Sequence, residues 1–349
     1  METAINQLAG RIAELPPEKR ALFERLLREK GLPLPDDQSA SGNTPAAEEL
    51  AEVRESVREF FRRAAEDQSE TAWHQPHPQS ETIKSVTRKF YDAINRQLDA
   101  SLFGSAAAFL NYGYAPDGSP EYSTIAVPRH YPNRHSLKLM LEVIGERDLT
   151  GAAVLDIGCG RGGMVQTLLR YFSPARVTGM DLSGGAVRFC QKNGDPRRSH
   201  FLQADAEKLP LAAAAFDCVT NVESSHNYPN RRDFYAEVFR VLKPGGWFLY
   251  ADLLTLKQWQ AAETWLAQMG FAITRNQDIT GNVLRACDET AAARLAAFQQ
   301  AGAGEQDLLG DFLAVPGSKP YDNMKLGISA YKILWLQKNT GVGTEGTGA

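Results

Sequence analysis

One histidine in the segment NVESSHNYP (221–229) has the residue type and the neighbours needed for general-base chemistry. The imidazole of His226 has an ordinary pKa near 6.5, so its neutral form can accept a proton at neutral pH. A hydroxyl group is a poor nucleophile until its proton leaves, and a positioned imidazole can take that proton. Glu223 can reach the second imidazole nitrogen if the segment is helical, and Asp252, at the end of a later strand, can do the same. A histidine that only packs or caps a loop is the alternative.

A glycine-rich segment, DIGCGRGG (156–163), follows an apolar run and precedes a helical pattern. Glycines such as Gly158 and Gly160 let the backbone approach a ligand closely, and the N-terminus of the next helix faces that ligand. The segment satisfies the GxGxxG pattern of dinucleotide-binding proteins, which is weakly specific by itself. Asp156, two residues before the first glycine, favours a ligand with an amino-acid portion over a pyrophosphate. A purely structural turn, the remaining alternative, would not need four glycines in six residues.

Carboxylates end the next two predicted strands. Asp181 and Leu182 close the run ARVTGMDLS, where a carboxylate can accept hydrogen bonds from the ribose hydroxyls of an adenine nucleoside. Asp205 and Ala206 end the run SHFLQADA and are expected near the adenine edge. A helix N-cap or a surface acid is the alternative for both aspartates.

The elements that must position these groups alternate between strand and helix. The runs AAVLDIG, ARVTGMDLS, SHFLQADA, FDCVTNVES and WFLYADLL predict strands. The segments MVQTLLRYF, AVRFCQKNG and FYAEVFRVLKPGG predict helices, the last of them ended by its Pro-Gly-Gly. Such alternation predicts an α/β fold with a mainly parallel sheet covered by helices on both faces. We expect a Rossmann-like, seven-stranded sheet with a helical N-terminal extension.

Composition argues against several other classes of protein. The 349 residues carry 38 Lys and Arg against 42 Asp and Glu, and this net charge of −4 disfavours a nucleic-acid-binding protein. No apolar run is long enough to span a membrane, and the N-terminus lacks the features of a signal peptide. The four scattered cysteines and the separated histidines predict reduced thiols, no metal site and a cytoplasmic location.

Four regions are predicted along the chain. Residues 1–31 carry two amphipathic stripes joined by a proline pair, which is typical of a helical hairpin. Residues 32–84 are predicted to be a linker that contains one charged helix. Residues 85–338 are predicted to form the compact domain, and residues 339–349 a disordered tail.

Taken together, the motifs resemble those of class I S-adenosylmethionine-dependent methyltransferases. From about residue 89 to residue 338, the chain is similar to the phthiotriol and phenolphthiotriol dimycocerosate methyltransferases and to the O-methyltransferase domains of polyketide synthases. The segments that carry this similarity are FLNYGYA, LDIGCGRGG, GMDLS, ADAEKLP, NVESSHNYP, RVLKPGGWFLYAD and DITGNVLRA. The resemblance implies S-adenosylmethionine as cofactor. It also implies cofactor contacts from Tyr112 and Gly113 of FLNYGYA and from Asn221, with core packing as the alternative for the aromatic residues.

The same resemblance implies an activity and a setting. It implies methyl transfer, with a His–acid pair as base, to a hydroxyl or enol oxygen of a polyketide, polyketide–peptide or lipid-like acceptor, free or bound to a carrier protein. C-methylation of a related natural product is the enzymatic alternative, and a non-catalytic assembly-line docking module is the alternative from another class. Residues 1–31 resemble helices that precede condensation and related domains in megasynthases, with Pro16 where serine is usual. This implies docking to an assembly line, with a simple capping pair of helices as the alternative.

Overall fold

The computed structural model describes residues 77–100, 108–131, 133–297 and 312–340. The chain divides into two compact units, Met1–Glu49 and Leu50–Ala349, and every described residue belongs to the second. The predicted hairpin of residues 1–31, the charged helix of the linker and the tail beyond residue 340 lie outside the described residues.

A seven-stranded sheet forms the centre of the described unit. Its strands are β1 (Ala153–Ile157), β2 (Arg176–Asp181), β3 (Ser199–Gln203), β4 (Phe216–Val222), β5 (Leu242–Thr255), β6 (Phe271–Asp278) and β7 (Ser329–Lys338). They lie in the order β3-β2-β1-β4-β5-β7-β6. Strands β1 to β5 pair in parallel, whereas β7 is antiparallel to both β5 and β6. The predicted Rossmann-like, mainly parallel sheet is therefore confirmed.

Helices pack on both faces of this sheet. They are α1 (Ser80–Ala100), α2 (Arg134–Ile144), α3 (Gly163–Tyr171), α4 (Gly184–Asn193), α5 (Arg231–Val241), α6 (Leu256–Gln268), α7 (Thr280–Ala297) and α8 (Lys319–Lys325). Alternate residues of β5 enter different core clusters: Leu249 and Ala251 pack in one, and Phe248 and Tyr250 in the other. Because successive side chains of a strand point to opposite faces, each face of the sheet has its own apolar core.

The start of β5 differs from the sequence prediction. Helix α5 ends at Val241, and the LKPGG segment that was expected to end the helix belongs to β5 instead. Regular pairing with β4 begins only at Trp247, opposite Cys218, after a shift in register. The shift has a local cause, because Pro244 has no N–H to donate and Gly245 has a φ of 78°.

Helix α1 begins at Ser80, inside the region predicted to be linker. Lys84 of this helix forms ion pairs of 2.7 Å with both Asp205 and Glu207, in the loop after β3. Asp92 accepts hydrogen bonds from Oγ of Ser183, the N-cap of α4, and from the N–H of Gly185. The folded region therefore extends upstream of residue 85. The polar composition of this stretch suggested a linker. In the structure, Lys84 of this stretch forms ion pairs with acidic residues of the domain, so a polar composition did not distinguish a packed helix from a linker.

All four cysteines are buried and have free thiols. Within the described ranges, no helix is long and apolar enough to cross a membrane. The same ranges contain no group of three or more His, Cys, Asp or Glu side chains placed to hold a metal ion.

Candidate active site

The glycine-rich loop leads from β1 into α3, and its backbone requires glycine. Gly158, Gly160 and Gly162 have φ values of 69°, 50° and 81°, a left-handed region that other residues rarely adopt. A Cβ atom on Gly158 would lie 1.9 Å from Oγ of Ser224, in the loop after β4. Gly158 and Gly160 line a cavity, called here the central cavity, which is bounded by α1, this loop and the carboxyl ends of the strands.

Asp156 is buried near the end of β1, and one of its oxygen atoms lacks a partner. Oδ1 accepts a hydrogen bond from Oγ1 of Thr220 at 2.7 Å, whereas Oδ2 has no hydrogen-bond partner among the described residues. Burial raises the pKa of this carboxyl to about 7. Because Asp156 also lines the central cavity, a ligand with an ammonium group would satisfy the free oxygen.

Asp181 ends β2, and its carboxylate holds the glycine loop. Oδ2 accepts a hydrogen bond from the N–H of Gly160 at 2.8 Å, and Oδ1 accepts one from the N–H of Ser183 at 2.8 Å. Burial raises the pKa of Asp181, although both N–H groups act in the opposite direction. Each carboxylate oxygen has a second lone pair. Asp181 lines the central cavity together with Leu182, so it can also accept hydrogen bonds from a ligand.

Asp205 and Ala206 follow β3, and both line the central cavity. Oδ2 of Asp205 lies 2.7 Å from Nζ of Lys84, and Oδ1 accepts a hydrogen bond from the N–H of Glu207 at 2.9 Å. The carboxylate expected near the adenine edge is therefore already paired with a cation from α1, which the sequence analysis did not identify.

Three further predicted cofactor contacts have different surroundings. Tyr112 lines the central cavity, and its N–H donates a hydrogen bond to Oε1 of Glu223 at 2.8 Å. Gly113 lies outside the cavity lining, where it has a φ of 86° and packs so closely that a Cβ atom would lie 2.8 Å from that of His135. Asn221 is fully buried in β4 and also lies outside the lining, and its Nδ2 donates to a carbonyl oxygen of β1. Gly113 and Asn221 therefore lie behind the residues that line the cavity and do not form its surface.

His226 and Asp252 form a close pair beside the central cavity. His226 is the middle residue of a 3-10 turn, Ser225–Asn227, and its Nδ1 lies 2.7 Å from Oδ1 of Asp252 in β5. Because a carboxylate can only accept, Nδ1 donates its proton, and Nε2 is the basic nitrogen of the neutral ring. Burial lowers the pKa of His226, but the charge of Asp252 more than compensates, so the pKa lies above its ordinary value of 6.5.

Asp252 is fully buried and receives four hydrogen bonds. Oδ2 accepts from Oγ of Ser225 at 2.6 Å and from the N–H of His226 at 3.0 Å. Oδ1 accepts from Nδ1 of His226 and from the N–H of Leu253 at 2.8 Å. Burial raises the pKa of Asp252, but His226 and these hydrogen bonds hold it below its ordinary value. The carboxylate therefore stays ionised and fixes both the orientation and the tautomer of the imidazole.

Glu223, the other predicted partner of His226, points elsewhere. It follows β4 with a φ of 50°, and its Oε1 accepts hydrogen bonds from the N–H of Tyr112 and from the hydroxyl of Tyr331, each at 2.8 Å. Burial raises the pKa of Glu223 to about 7. The 3-10 turn begins only at Ser225, so the helical geometry needed to bring Glu223 onto the ring does not reach it. Of the two acids, Asp252 is the one in contact with Nδ1.

The basic nitrogen of His226 also has a neighbour within the protein. Nδ2 of Asn227 lies 3.0 Å from Nε2 of the ring and 3.0 Å from the hydroxyl of Tyr91 in α1. Tyr91 and His226 lie more than a hundred residues apart, so no local spacing could have identified this arrangement. The sequence analysis likewise missed several residues that line the central cavity, among them Lys84, Asn95, Phe312, Lys319 and Ile328.

Known proteins share sequence with this chain. A family model described as a methyltransferase domain matches residues 155–250. The chain is 33% identical to a fatty-acid O-methyltransferase of Mycolicibacterium smegmatis, over 72% of this chain and 91% of that protein. This chain belongs to the S-adenosylmethionine-dependent methyltransferases. The methyltransferase is also 37% identical to a phthiotriol/phenolphthiotriol dimycocerosates methyltransferase of Mycobacterium tuberculosis, over 58% of this chain and 73% of that one.

Solved structures support the fold of the methyltransferase. The crystal structure of a putative sarcosine dimethylglycine methyltransferase from Galdieria sulphuraria superposes with a TM-score of 0.58 and 14% sequence identity. The superposition covers 72% of this methyltransferase and 98% of that chain.

S-adenosylmethionine is the cofactor of this methyltransferase, and the central cavity has residues that fit it. The unpartnered oxygen of Asp156 suits the ammonium group of the amino-acid portion, and Asp181 suits the ribose hydroxyls. Gly158 and Gly160 line the cavity without side chains, so a ligand can approach the backbone of the loop there.

Proposed function

We propose that this methyltransferase methylates a hydroxyl oxygen of a lipid-like acceptor, with His226 as the general base and Asp252 as the group that orients it. The observation that carries the proposal is the 2.7 Å contact between Nδ1 of His226 and Oδ1 of Asp252 beside the central cavity. An enol oxygen of a polyketide requires the same proton removal and is included in this acceptor class.

The chemistry of the proposal depends on one proton. When bound, S-adenosylmethionine would supply an electrophilic methyl group and would leave as S-adenosylhomocysteine when its S–CH₃ bond breaks; the acceptor hydroxyl must lose its proton as its oxygen attacks. Nε2 of His226 accepts that proton, and the buried carboxylate of Asp252 stabilises the imidazolium that forms. Because Nδ2 of Asn227 lies 3.0 Å from Nε2, the acceptor must displace this amide when it binds.

Two lines of support favour a lipid-like acceptor. Two of the relatives that this chain resembles are named for fatty acids and for dimycocerosates. The central cavity has apolar side chains in its lining, including Phe90, Leu110, Met140, Phe312 and Ile328. Such walls gain free energy from the burial of an aliphatic chain. Presentation of the acceptor on a carrier protein, and docking through residues 1–31, remain predictions of the sequence.

A carboxylate acceptor is the second candidate, because one relative is named as a fatty-acid O-methyltransferase. A carboxylic acid is already ionised at neutral pH, so its methylation requires no base. Replacement of His226 by alanine therefore separates the two acceptors. It should slow methylation of a hydroxyl by about 10²–10⁴-fold and leave methylation of a carboxylate nearly unchanged.

The test is incubation of the full chain with methyl-labelled S-adenosylmethionine and three acceptors: a long-chain alcohol, a β-ketoester that forms an enol, and a fatty acid. Mass spectrometry locates the label, and alkali releases it as methanol only from an ester. Labelled ether or enol ether that disappears in the His226→Ala variant supports the proposal. Label on carbon would establish C-methylation instead. No label in any product, with intact cofactor binding, would favour the non-catalytic docking module.

A further inference from the structure

A cluster of exposed apolar side chains lies at the mouth of the central cavity. Among the large hydrophobic side chains that the structure describes, Leu326 is 73% exposed, Leu256 is 53% exposed and Ile328 is 45% exposed. They are neighbours, because the N–H of Leu256 donates to the carbonyl oxygen of Ile328 at 3.3 Å, and Leu326 precedes Ile328 by two residues. Ile328 also lines the central cavity. Clustered exposure of this kind marks an interaction surface, whereas single exposed side chains are common on any protein.

Three exposed lysines lie in the same segments of the chain as this cluster. Lys257 follows Leu256, and Lys319 and Lys325 are the first and last residues of α8. Across residues 255–258 and 319–328, these three lysines stand against a single acidic residue, Asp322, although the whole chain has a net charge of −4. We call this surface the rim. It consists of Leu256, Leu326 and Ile328 with Lys257, Lys319 and Lys325.

We propose that the rim docks the methyltransferase on an anionic lipid bilayer. Aliphatic side chains would enter the boundary between the headgroups and the acyl chains, while the lysines attract the lipid phosphates. Because Ile328 and Lys319 belong to both the rim and the cavity lining, docking places the mouth of the central cavity against the bilayer. A lipid-like acceptor then enters without crossing water. The acceptor class rests on the proposed function, whereas the docking itself does not depend on it.

The composition of the rim favours a bilayer over a protein partner. An acidic carrier protein would also be attracted to the lysines. However, the centres of protein interfaces are enriched in aromatic residues and arginine and depleted of lysine. Across residues 255–258 and 319–328, the exposed apolar side chains are leucine and isoleucine, the cations are lysine, and neither arginine nor an exposed aromatic residue occurs, which fits a surface that lies on a membrane.

The test is flotation of the full chain with phosphatidylcholine vesicles, with and without about one-third phosphatidylglycerol. We expect binding to the anionic vesicles that weakens as salt is added. Joint replacement of Leu256 and Leu326 by aspartate should lower the partition coefficient by at least about tenfold. Lys257→Glu and Lys325→Glu should each lower it by at least about fivefold, because the loss of one lysine charge near an anionic surface alone has an effect of this size and the added negative charge increases it. Lys192→Glu, at an exposed lysine of α4, is the matched control and should bind like the unchanged protein.

Measurements of folding and of activity distinguish a loss of membrane docking from a loss of structure. Circular dichroism and S-adenosylmethionine affinity show that the leucine variant is folded. Methyl transfer to a short soluble acceptor should be unchanged in that variant, and transfer to an acceptor held in vesicles should fall. Absence of vesicle binding by the unchanged protein, or equal binding by the leucine variant, overturns the proposal. Binding to an acidic carrier protein in place of vesicles also overturns it. Failure to methylate either acceptor would refute the proposed function alone, since flotation is measured without turnover.

Discussion

Replacing Asp252 by asparagine removes one buried charge from beside His226 and keeps the side-chain size. In the native protein, the two carboxylate oxygens accept four hydrogen bonds, from Ser225, Leu253 and two N–H groups of His226. An asparagine side chain has only one acceptor oxygen, and its NH₂ group would face donors on the other side. If that group faces Nδ1, the imidazole must turn to the tautomer in which Nε2 carries the proton. That tautomer cannot accept a proton from the acceptor hydroxyl.

The expected magnitude follows from the same contacts. A hydrogen bond to a charged group contributes about 1.5–3 kcal/mol. The loss of one such bond to the imidazolium corresponds to a decrease of about 1–2 units in the pKa of His226, at roughly 1.36 kcal/mol per unit. Together with the wrong tautomer, this should reduce kcat by about 10²–10⁴-fold. Because burial leaves no solvent to replace the carboxylate, little compensation is expected.

The assay is kcat as a function of pH with a long-chain alcohol as acceptor. The proposed mechanism requires the neutral imidazole, so it predicts that activity of the native protein rises with pH through a pKa above 6.5. In the Asp252→Asn variant, any residual activity should still rise with pH, but the midpoint of that rise should move to a lower pH because the pKa of His226 is lower. Glu223→Gln is the control, because glutamine can still accept from the N–H of Tyr112 and the hydroxyl of Tyr331. An unchanged kcat in Asp252→Asn, or a larger loss in Glu223→Gln, would refute the assignment.

Further predictions concern the cofactor site and the N-terminal region. Asp181→Ala should weaken S-adenosylmethionine binding by roughly 2–4 kcal/mol in calorimetric titration without unfolding the domain, and unchanged affinity would contradict its role. Gly158→Ala should abolish cofactor binding, because its Cβ would lie 1.9 Å from Oγ of Ser224, whereas Gly281→Ala, with no atom within 4 Å of its Cβ, should bind normally. Deletion of residues 1–31 should preserve turnover of a free acceptor and impair turnover of a carrier-bound one. Equal loss with both acceptors would indicate a structural role.

The sequence predicted the parts of the fold that depend on local patterns. Apolar runs that end in glycine or aspartate located β1 and β2, and their parallel pairing brought Asp156 and Asp181 to one edge of the sheet. The position of β7 between β5 and β6 had no local signal, because antiparallel insertion depends on contacts between distant segments. The upstream extent of α1 was missed for the same reason, since Lys84 is positioned by ion pairs to residues more than a hundred positions later.

Within the candidate site, sequence could name the acids but could not choose between them. Glu223 and Asp252 were equivalent candidates as long as the local turn was unknown. The choice in the structure depends on where the 3-10 turn begins and on the φ of 50° at Glu223, which together direct Glu223 away from the imidazole. Gly113 and Asn221 were grouped with the cofactor contacts for a similar reason. A residue inside a motif has the same sequence signal whether it faces the cavity or lies behind the residues that line it.

The central cavity combines two sets of residues with different origins in the chain. Residues 155–250, which match the methyltransferase family, include Gly158 and Asp181 at the cofactor side and His226 at the reacting side. Asn227, which contacts the basic nitrogen, also lies in that range, but its partner Tyr91 in α1 and the cavity-lining residues Lys319 and Ile328 before β7 come from outside it. Cofactor chemistry common to a family constrains the first set, whereas acceptors differ between members. Acceptor selectivity should therefore be altered by substitutions in α1 and in the segment before β7 more than by substitutions within the matched domain.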